Sequence, residues 1–195
     1  MVLHNFSYPI GHLITAQLWH SLNSNDRHMT VSDTGWGKNL WGNYFGQWAL
    51  GACVVIYDTR GKFHAEELLP LLEKYEITSF CAPPTVYRML VLHDLKKYDF
   101  KCLRSCTAAG EPLHTETCRL WMEGTGIPVR EGYGQTETVC MIFCAPGSTI
   151  CSGSMGKASP GWHIELHDET GNPVPIGTEG RIALKITPRP PVGLF

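Results

Sequence analysis

The sequence lacks the features of a nucleic-acid or membrane protein. Its 16 Lys and Arg are balanced by 18 Asp and Glu, and no stretch is strongly basic. Because phosphate backbones are bound by clustered Lys and Arg, nucleic acid is not expected as a partner. No apolar run reaches the roughly 20 residues of a membrane span. The first residues also lack the basic and apolar segments of a secretory signal, so we expect a cytoplasmic protein with no membrane span.

The eight cysteines contain no CxxC pair, which is the spacing typical of zinc and redox sites. Several lie in apolar, strand-like runs, where a reduced cysteine packs as a small hydrophobe. We therefore expect buried free thiols, and neither a disulfide framework nor a zinc site. The cysteines are Cys53, Cys81, Cys102, Cys106, Cys118, Cys140, Cys144 and Cys151.

Repeats and low-complexity tracts are also missing, and 43% hydrophobic with 17% charged residues is the composition of a globular protein. Short apolar strands alternate with amphipathic helices from residue 53 onward, which predicts an α/β fold with a parallel sheet covered on both faces. The predicted strands are 29–31, 53–57, 78–82, 103–108 and 128–132. The predicted helices are 4–22, 39–49, 64–76, 84–93 and 112–123, with Leu40, Tyr44 and Trp48 one turn apart on a buried helix.

The pattern changes near residue 150. Strand-like runs at 162–167 and 181–186 flank the turn-forming residues 168–172. This arrangement predicts a smaller antiparallel β portion after the parallel sheet. We expect a division into residues 1–150 and 151–195, with the second part incomplete.

Two polar segments follow neighbouring predicted strands. Gly110, Glu111 and Pro112 come after the third predicted strand of the run that starts at residue 53, and residues 131–138 come at the end of the fourth. In an open parallel sheet, ligands bind beyond the carboxyl ends of the strands. The two segments would meet at one site if their strands are neighbours.

The second segment offers suitable chemistry for a nucleotide. Gly132 and Gly134 allow a sharp turn and close approach to a ligand, and Tyr133 can stack on a base. The Thr136 hydroxyl suits a phosphate oxygen. Glu137 is a hard carboxylate, and Mg²⁺ is commonly held by one or two carboxylates with substrate phosphates.

Residues 133–137, Tyr-Gly-Gln-Thr-Glu, resemble the Tyr-Gly-x-Thr-Glu motif of the adenylate-forming (AMP-binding) superfamily. Further segments, in the same order as in that superfamily, resemble its acetyl- and medium-chain acyl-CoA synthetases. These segments are 32–36, 48–52, 82–90, 110–112, 153–157 and 177–180. The resemblance covers essentially the whole chain, which looks like an internal piece of the large N-terminal domain.

The resemblance implies an enzyme that binds ATP, Mg²⁺ and a short- or medium-chain carboxylic acid, forms an acyl-adenylate, and transfers the acyl group to coenzyme A. It implies that Glu137 holds Mg²⁺ and that Thr136 contacts the reacting groups. The residues expected to hold ATP or AMP are Gly110, Glu111, Pro112, Glu131, Gly132, Tyr133, Gly134, Gln135 and Thr136. Trp36, Tyr133 and Gly134 are expected to line the acyl pocket.

The family's phosphate loop, its ribose-binding Arg and its mobile C-terminal domain with a catalytic Lys are not in this sequence. The expected partners therefore include the missing N- and C-terminal segments, and the chain alone is expected to have little or no synthetase activity. Two other functions stay open: an amino-acid-adenylating enzyme, against which residues 32–36 argue, and a non-catalytic nucleotide- or acyl-binding module.

Purely structural roles are the alternatives for single residues. Trp36 could be core, Glu111 could cap the helix after Pro112, and Glu137 could be a solvated helix-start carboxylate. His4, His12, His20 and His28 recur every eight residues, which matches no structural period that would join all four, and we interpret the spacing as incidental.

Overall fold

The computed structural model describes residues 2–58, 61, 63–151, 153–186, 188 and 190–194. Helices cover a central sheet, and a separate hairpin follows. The strands are β1 (Arg27–Thr30), β2 (Cys53–Val54), β3 (Ser79–Ala82), β4 (Ser105–Ala108), β5 (Val129–Gly134), β6 (Cys140–Phe143), β7 (Lys157–Ala158), β8 (Ile164–His167) and β9 (Arg181–Leu184). The α-helices are α1 (Tyr8–Ile14), α2 (Gly37–Asn43), α3 (Phe45–Ala49), α4 (Ala65–Lys74), α5 (Pro84–Leu90) and α6 (Thr115–Thr125), with a π-helix at Thr15–Trp19 and a 3-10 turn at Leu95–Lys97.

The central sheet has seven strands in the order β2-β1-β3-β4-β5-β6-β7. The first four pairings are parallel, and β6 and β7 add antiparallel strands at the other side. Strands β8 and β9 form the antiparallel hairpin, with Ile164 opposite Leu184. The predicted α/β class, with a smaller antiparallel portion, is confirmed. Because β7 pairs with β6, the central sheet continues to Ala158, and a division at residue 150 stays a prediction.

The two faces of the sheet bury different groups. Phe80 on β3 faces a cluster that includes Leu68 of α4, Tyr87 of α5 and Trp121 of α6. Its neighbour Cys81 points the other way, into a cluster with Trp19 and Trp41, as the alternation of side chains along a strand requires. Helices α4, α5 and α6 therefore cover one face, and the segment from α1 to α3 covers the other.

The predicted helix at 39–49 is two helices, and its predicted buried face is wrong. The backbone breaks at Tyr44, which has φ −120° and ψ −68°. Trp41 and Gln47 are buried, whereas Trp48 is 62% exposed and Leu40 is 42% exposed. The break at Tyr44 changes the direction of α3 relative to α2. One helical period across residues 39–49 therefore could not predict which face of each helix is buried.

Two other boundaries also differ from the sequence pattern. Strand β2 has only two residues and lies at the sheet's edge, and Ile56 beyond it is 65% exposed. Helix α6 begins at Thr115, three residues after Pro112.

All eight cysteines are free; the buried-thiol prediction is confirmed for Cys81, Cys106, Cys140 and Cys144, while Cys53 and Cys151 are exposed.

Three of the four evenly spaced histidines lie in the buried interior, on different elements of the fold. His12, His20 and His28 are fully buried. The rings of His20 and His28 lie 4.7 Å apart. The Nδ1 of His20 lies 3.0 Å from the Thr107 hydroxyl on β4, and the Nδ1 of His28 lies 2.9 Å from the Ser79 hydroxyl on β3. Hydroxyls of the sheet therefore hold the rings of His20 and His28.

Burial determines the charge state of these histidines. Burial, and next the charge of His4, lower the pKa of His12 to about 3, and burial lowers the pKa of His28 to about 4.

Within the residues that the structure describes, no helix is long and apolar enough to cross a membrane.

We expect the free energy of unfolding to fall as the pH drops from about 6.5 toward about 3. Unfolded His12 takes up a proton below its ordinary pKa of 6.5, whereas folded His12 stays neutral down to about 3, so protons favour the unfolded chain in that window. His12→Phe, which keeps a ring beside Tyr8 and Trp41, should lose less stability than the native chain. Urea unfolding, measured at neutral and acidic pH, tests this.

The matched control is His163→Phe, which removes an exposed histidine. It should leave the acid dependence unchanged. Equal acid sensitivity of the native chain and His12→Phe would contradict the assignment of the effect to His12.

Candidate functional site

A cavity of about 580 Å³ lies at the carboxyl ends of β1, β3, β4 and β5. All four strands run parallel, so the segments that follow them reach the same rim of the sheet. Helix α2 closes the cavity from the side. The cavity is lined by Val31, Ser32, Asp33, Trp36, Gly37, Lys38, Trp41, Pro83, Thr85, Val86, Ala109, Gly110, Glu111, Gly134, Gln135 and Thr136.

The loop after β4 is held by helix α5. Gly110 has φ +109°, a conformation that favours glycine, and its α-carbon faces open space. The Glu111 carboxylate accepts a hydrogen bond from Thr85 N at 3.0 Å, another from the Thr85 hydroxyl, and one from Arg88 Nη2 at 3.3 Å. These bonds, first that of the Thr85 hydroxyl, lower the pKa of Glu111. Glu111 therefore tethers the loop to α5 and does not cap α6.

The segment after β5 meets this loop, as the two motifs predicted. Gly134, Gln135 and Thr136 line the same cavity as Gly110 and Glu111. The imidazole Nε2 of His4 lies 2.6 Å from the Thr136 carbonyl oxygen, and the Gln135 amide donates to the Tyr133 hydroxyl at 2.8 Å. His4 thus holds the backbone at Thr136, while the Gln135 and Thr136 side chains are exposed.

Several residues with predicted ligand roles lie beside the cavity instead of in its lining. Glu131 is half-buried and accepts a hydrogen bond from Leu113 N at 3.1 Å, so it supports the loop after Pro112. Burial raises the pKa of Glu131. The Tyr133 ring packs against a hydrophobic cluster that includes Ile142.

The glycines of this segment have packing roles that their sequence did not reveal. A β-carbon on Gly132 would lie 2.6 Å from the Trp19 ring, and one on Gly134 would lie 2.4 Å from the Val139 carbonyl oxygen. Gly132 thus makes room for a core tryptophan, and Gly134 sits at the irregular pairing of β5 with β6. Only Gly134 also lines the cavity.

Glu137 is half-buried and lies next to the cavity-lining Thr136, but it is not part of the lining. Burial, and next the charge of Glu137, raise the pKa of Tyr8 to about 12. Among the described residues, no three His, Cys, Asp or Glu side chains are grouped to cage a metal ion. A Mg²⁺ ion that is held by one carboxylate and substrate phosphates needs no such cage, so Glu137 fits that more limited role.

The cavity has an open end and a buried end. Trp36 is 59% exposed, so it is not a core tryptophan, and it lies at the open end with Gly110, Glu111, Gln135 and Thr136. The buried end is formed by Lys38, Trp41, Val86 and Ala109, all of which are buried. A large charged ligand suits the open end, and an apolar group suits the buried end.

Lys38 is the functional candidate that sequence reasoning missed. Its ammonium is buried and donates to the Ala109 carbonyl oxygen at 2.9 Å. Burial lowers its pKa. The available signal was its isolation: no other Asp, Glu, Lys or Arg occurs between Asp33 and Asp58. Because burying a charge is costly unless it is paired, a single charged residue inside an apolar stretch indicates a functional or a paired side chain.

Comparison with known proteins identifies related sequences over nearly the whole chain. Residues 3–187 match the family model of the AMP-binding enzyme. The Mus musculus acyl-coenzyme A synthetase ACSM3, mitochondrial, is 42% identical over 189 residues, which are 97% of this chain and 32% of that protein. The Homo sapiens acyl-coenzyme A synthetase ACSM4, mitochondrial, is 43% identical with the same coverage. The chain thus spans about a third of the length of these relatives.

Solved structures give the same relationship. An acyl-CoA synthetase from Brucella canis superposes with a TM-score of 0.86 at 28% identity, over 94% of this chain and 34% of that one. The anthranilate CoA ligase AuaEII, solved in complex with anthranoyl-AMP, superposes with a TM-score of 0.83 at 30% identity, over 92% of this chain and 35% of that one.

We expect Lys38→Met to raise the free energy of unfolding. Burying an ammonium costs several kcal/mol, and one hydrogen bond to a neutral carbonyl returns only about 1 kcal/mol. Methionine keeps the apolar stem and removes the charge. Urea unfolding at neutral pH measures the change.

Lys97→Met is the matched control, because the Lys97 side chain is 74% exposed. Its stability should stay within about 0.5 kcal/mol of the native chain. A Lys38→Met chain that is less stable than the native chain would show that the lysine is a net structural asset.

Proposed function

The chain belongs to the AMP-binding enzyme family, and from that premise we propose that it is part of an ATP-dependent acyl-CoA synthetase. The complete enzyme activates a short- or medium-chain carboxylic acid as an acyl-adenylate and transfers the acyl group to coenzyme A. The proposal concerns the longer protein, because this chain spans 32% of the first relatives. By itself the chain is proposed to be inactive.

The observation that carries the proposal is the convergence of the two polar segments on one cavity. Gly110 and Glu111 lie after β4, and Gly134 to Thr136 lie at and after β5; both groups face a cavity whose buried residues are apolar apart from Lys38. A nucleotide at the open end and an acyl chain at the inner end would bring an acid's carboxylate close to an α-phosphate. Such positioning is the main source of catalysis in phosphoryl-type transfer.

The open end supplies the nucleotide contacts in this proposal. Adenine lies against the Gly110 to Pro112 loop, where the glycine leaves room for a flat ring. Glu131, Gly132 and Tyr133 act through the backbone geometry of β5, and Gln135 and Thr136 contact the nucleotide. The Thr136 hydroxyl donates to a phosphate oxygen as negative charge develops there.

Mg²⁺, when bound through Glu137 and the phosphates, supplies charge neutralisation at the reacting phosphate. The remaining chemistry is orientation by this chain's own groups. Trp36 and Gly134 border the path of the acyl group, and Tyr133 supports that path from outside the cavity. Trp36 at the open end shields that path from water.

The proposed reaction has two balanced steps. A carboxylate oxygen of the acid attacks the α-phosphorus of ATP, an O–P bond forms, and the bond to pyrophosphate breaks with pyrophosphate leaving. The sulfur of coenzyme A then attacks the acyl carbon, loses its proton, and expels AMP. Segments of the parent enzyme outside this chain are proposed to bind coenzyme A and to complete the site.

Two further sequence predictions stay with this proposal. The division into residues 1–150 and 151–195 describes a nucleotide- and acyl-binding part followed by the start of a β-rich part. A cytoplasmic location is also a prediction from the sequence; the names of the two relatives place those proteins in mitochondria.

We expect the chain alone to bind AMP and ATP but to catalyse little ATP–pyrophosphate exchange. Four strand ends that build the nucleotide side are present, whereas the segments that complete the site are not. Calorimetry with AMP and an isotope exchange assay with acids from acetate to decanoate provide the two measurements. Robust exchange would contradict the proposed inactivity, and absent nucleotide binding would contradict the proposed site.

In the longer parent enzyme, we expect Glu137→Ala to lower Mg²⁺-dependent acyl-CoA formation by roughly 100-fold, the order of effect of losing one charge-stabilising group. Glu73→Ala is the matched control, since Glu73 is an exposed carboxylate of α4. Its activity should match the native enzyme. Full activity of Glu137→Ala would contradict the proposed role of Glu137 in holding Mg²⁺. A parent protein that binds AMP but catalyses no ATP–pyrophosphate exchange would favour the non-catalytic module.

A further inference from the structure

A second cavity, of about 350 Å³, lies at the rim of the sheet opposite the proposed reaction centre. Its walls come from the amino ends of β4 and β5 and from the segment after β6, which runs antiparallel to β5 and so ends at the rim where β5 begins. We propose that this cavity binds a phosphate group, carried by a small phosphate ester or present as inorganic phosphate, against the guanidinium groups of Arg104 and Arg130.

One serine of the cavity wall meets both arginines. Arg104 Nη2 donates to the Ser21 carbonyl oxygen at 2.6 Å, and Arg130 Nη2 donates to the Ser21 hydroxyl at 2.9 Å. Because the two acceptors belong to one residue, both guanidinium groups lie against the same serine, which lines the cavity together with them. The charged ends of the two side chains, and not only their stems, are therefore at this cavity.

The charges at this cavity do not balance. The buried Asp26 carboxylate forms an ion pair with Arg104. Arg130 is 6% exposed, and among the described residues it pairs with no carboxylate. No Asp or Glu lines the cavity, so one positive charge is left without a counter-charge. Burying an unpaired charge is costly, and an anion beside it offsets that cost.

Both arginines also keep hydrogen-bond donors without an acceptor. A guanidinium has five N–H donors. Arg130 donates both Nη2 hydrogens, to the hydroxyls of Ser21 and Ser105, and one Nη1 hydrogen to the Cys144 carbonyl oxygen. Arg104 donates through Nε and Nη2. Within the described residues this leaves Nε and one Nη1 hydrogen of Arg130, and Nη1 of Arg104, with no acceptor.

These unused donors favour a phosphate group as the ligand. The planar, forked donors of arginine match the oxygen atoms of a phosphate, which accepts from more than one guanidinium at once. Burial first, and the charge of Arg104 among the smaller causes, lower the pKa of Arg130. A bound anion opposes both causes, because it stabilises the charged guanidinium.

The remaining wall of the cavity suits the organic part of a phosphate ester. Pro128, Pro146 and Ile150 line it with apolar surface beside the two arginines. A volume of about 350 Å³ is larger than one phosphate ion needs and reaches the lower end of the range for small-molecule sites, about 300 Å³. An ester whose substituent lies on the two prolines therefore fills the cavity better than the free ion.

This inference is independent of the proposed function. The two cavities share no lining residue, and the proposed ligase reaction needs no phosphate at the opposite rim. Failure of the phosphate site would leave the ligase proposal unchanged.

A purely structural Arg130 makes a different prediction. In that role Arg130 only ties β4, β5 and the segment after β6 together through its three hydrogen bonds. Its removal would lower the free energy of unfolding, and a new charge elsewhere in the cavity would have no effect on phosphate binding. A variant that leaves all three bonds in place therefore separates the two roles.

Ser148→Glu is that variant. Ser148 lines the cavity, is exposed, and its hydroxyl donates only to the Ala145 carbonyl oxygen. A glutamate there repels or replaces a bound phosphate without touching either arginine's bonds. Thr178→Glu is the matched control, because it adds the same charge at an exposed residue that lines neither cavity.

The test is calorimetric titration of the 195-residue chain with inorganic phosphate and with phenyl phosphate, at constant ionic strength because salt screens exposed charges. We expect saturable binding by the native chain and by Thr178→Glu. Ser148→Glu should weaken binding by about 10-fold or more, the order expected when one charge-assisted hydrogen bond is lost. Tighter binding of phenyl phosphate identifies an ester as the ligand, and binding of inorganic phosphate alone identifies the free ion.

Two further variants locate the site. Arg130→Met should abolish binding of both probes, with circular dichroism to establish that the variant folds; if it does not fold, the Ser148→Glu result decides. Thr136→Val changes the other cavity and should leave the affinity for phosphate unchanged.

Four results would overturn the inference. The first is the absence of saturable binding of either probe to the native chain. The second is equal affinity of the native chain and Ser148→Glu, or equal weakening by Ser148→Glu and Thr178→Glu. The third is binding that Thr136→Val removes, which would place the probe at the other rim. The fourth is binding to this chain but not to the longer parent enzyme, which would mean that another segment of the parent fills the cavity.

Discussion

The parallel register of β1, β3, β4 and β5 is the constraint on which the site depends. Each strand in this group hydrogen-bonds to its neighbour in the same direction, so four successive chain segments must leave the sheet at one rim. Residues that are about a hundred positions apart in the chain, such as Ser32 and Thr136, thereby line one cavity. The strands are short and buried on both faces, which leaves them few alternative registers. The site is thus a consequence of how the sheet is paired.

Packing behind the rim decides which motif residues can meet a ligand. The Trp19 ring lies against Gly132, and Tyr133 packs against a hydrophobic cluster. In contrast, Gly134, Gln135 and Thr136 line the cavity. Helix α5 contributes in the same indirect way, since its Thr85 and Arg88 hold the Glu111 carboxylate. The motifs therefore combine residues that support the backbone with residues that face the ligand, and consecutive positions differ in role.

The layer from α1 to α3 is the more polar side of the protein's interior. His12, His20 and Lys38 are buried in this layer, and His28 is buried on the neighbouring strand β1, while the opposite face of the sheet is packed with aliphatic and aromatic side chains. Polar groups away from water are costly unless they are satisfied. Of these four residues only Lys38 lines the cavity, so its charge is the buried one that lies nearest the proposed reaction centre.

The sequence by itself determined the α/β class, the approximate order of strands and helices, and the family, because strand and helix periods and ordered motifs are local properties. It did not determine the break at Tyr44, the late start of α6, or the burial of three histidines and of Lys38. Those features depend on which face of a helix the sheet covers and on which strand lies next to which. Contacts such as Lys38 with Ala109 join residues 71 positions apart, and only the tertiary structure brings them together.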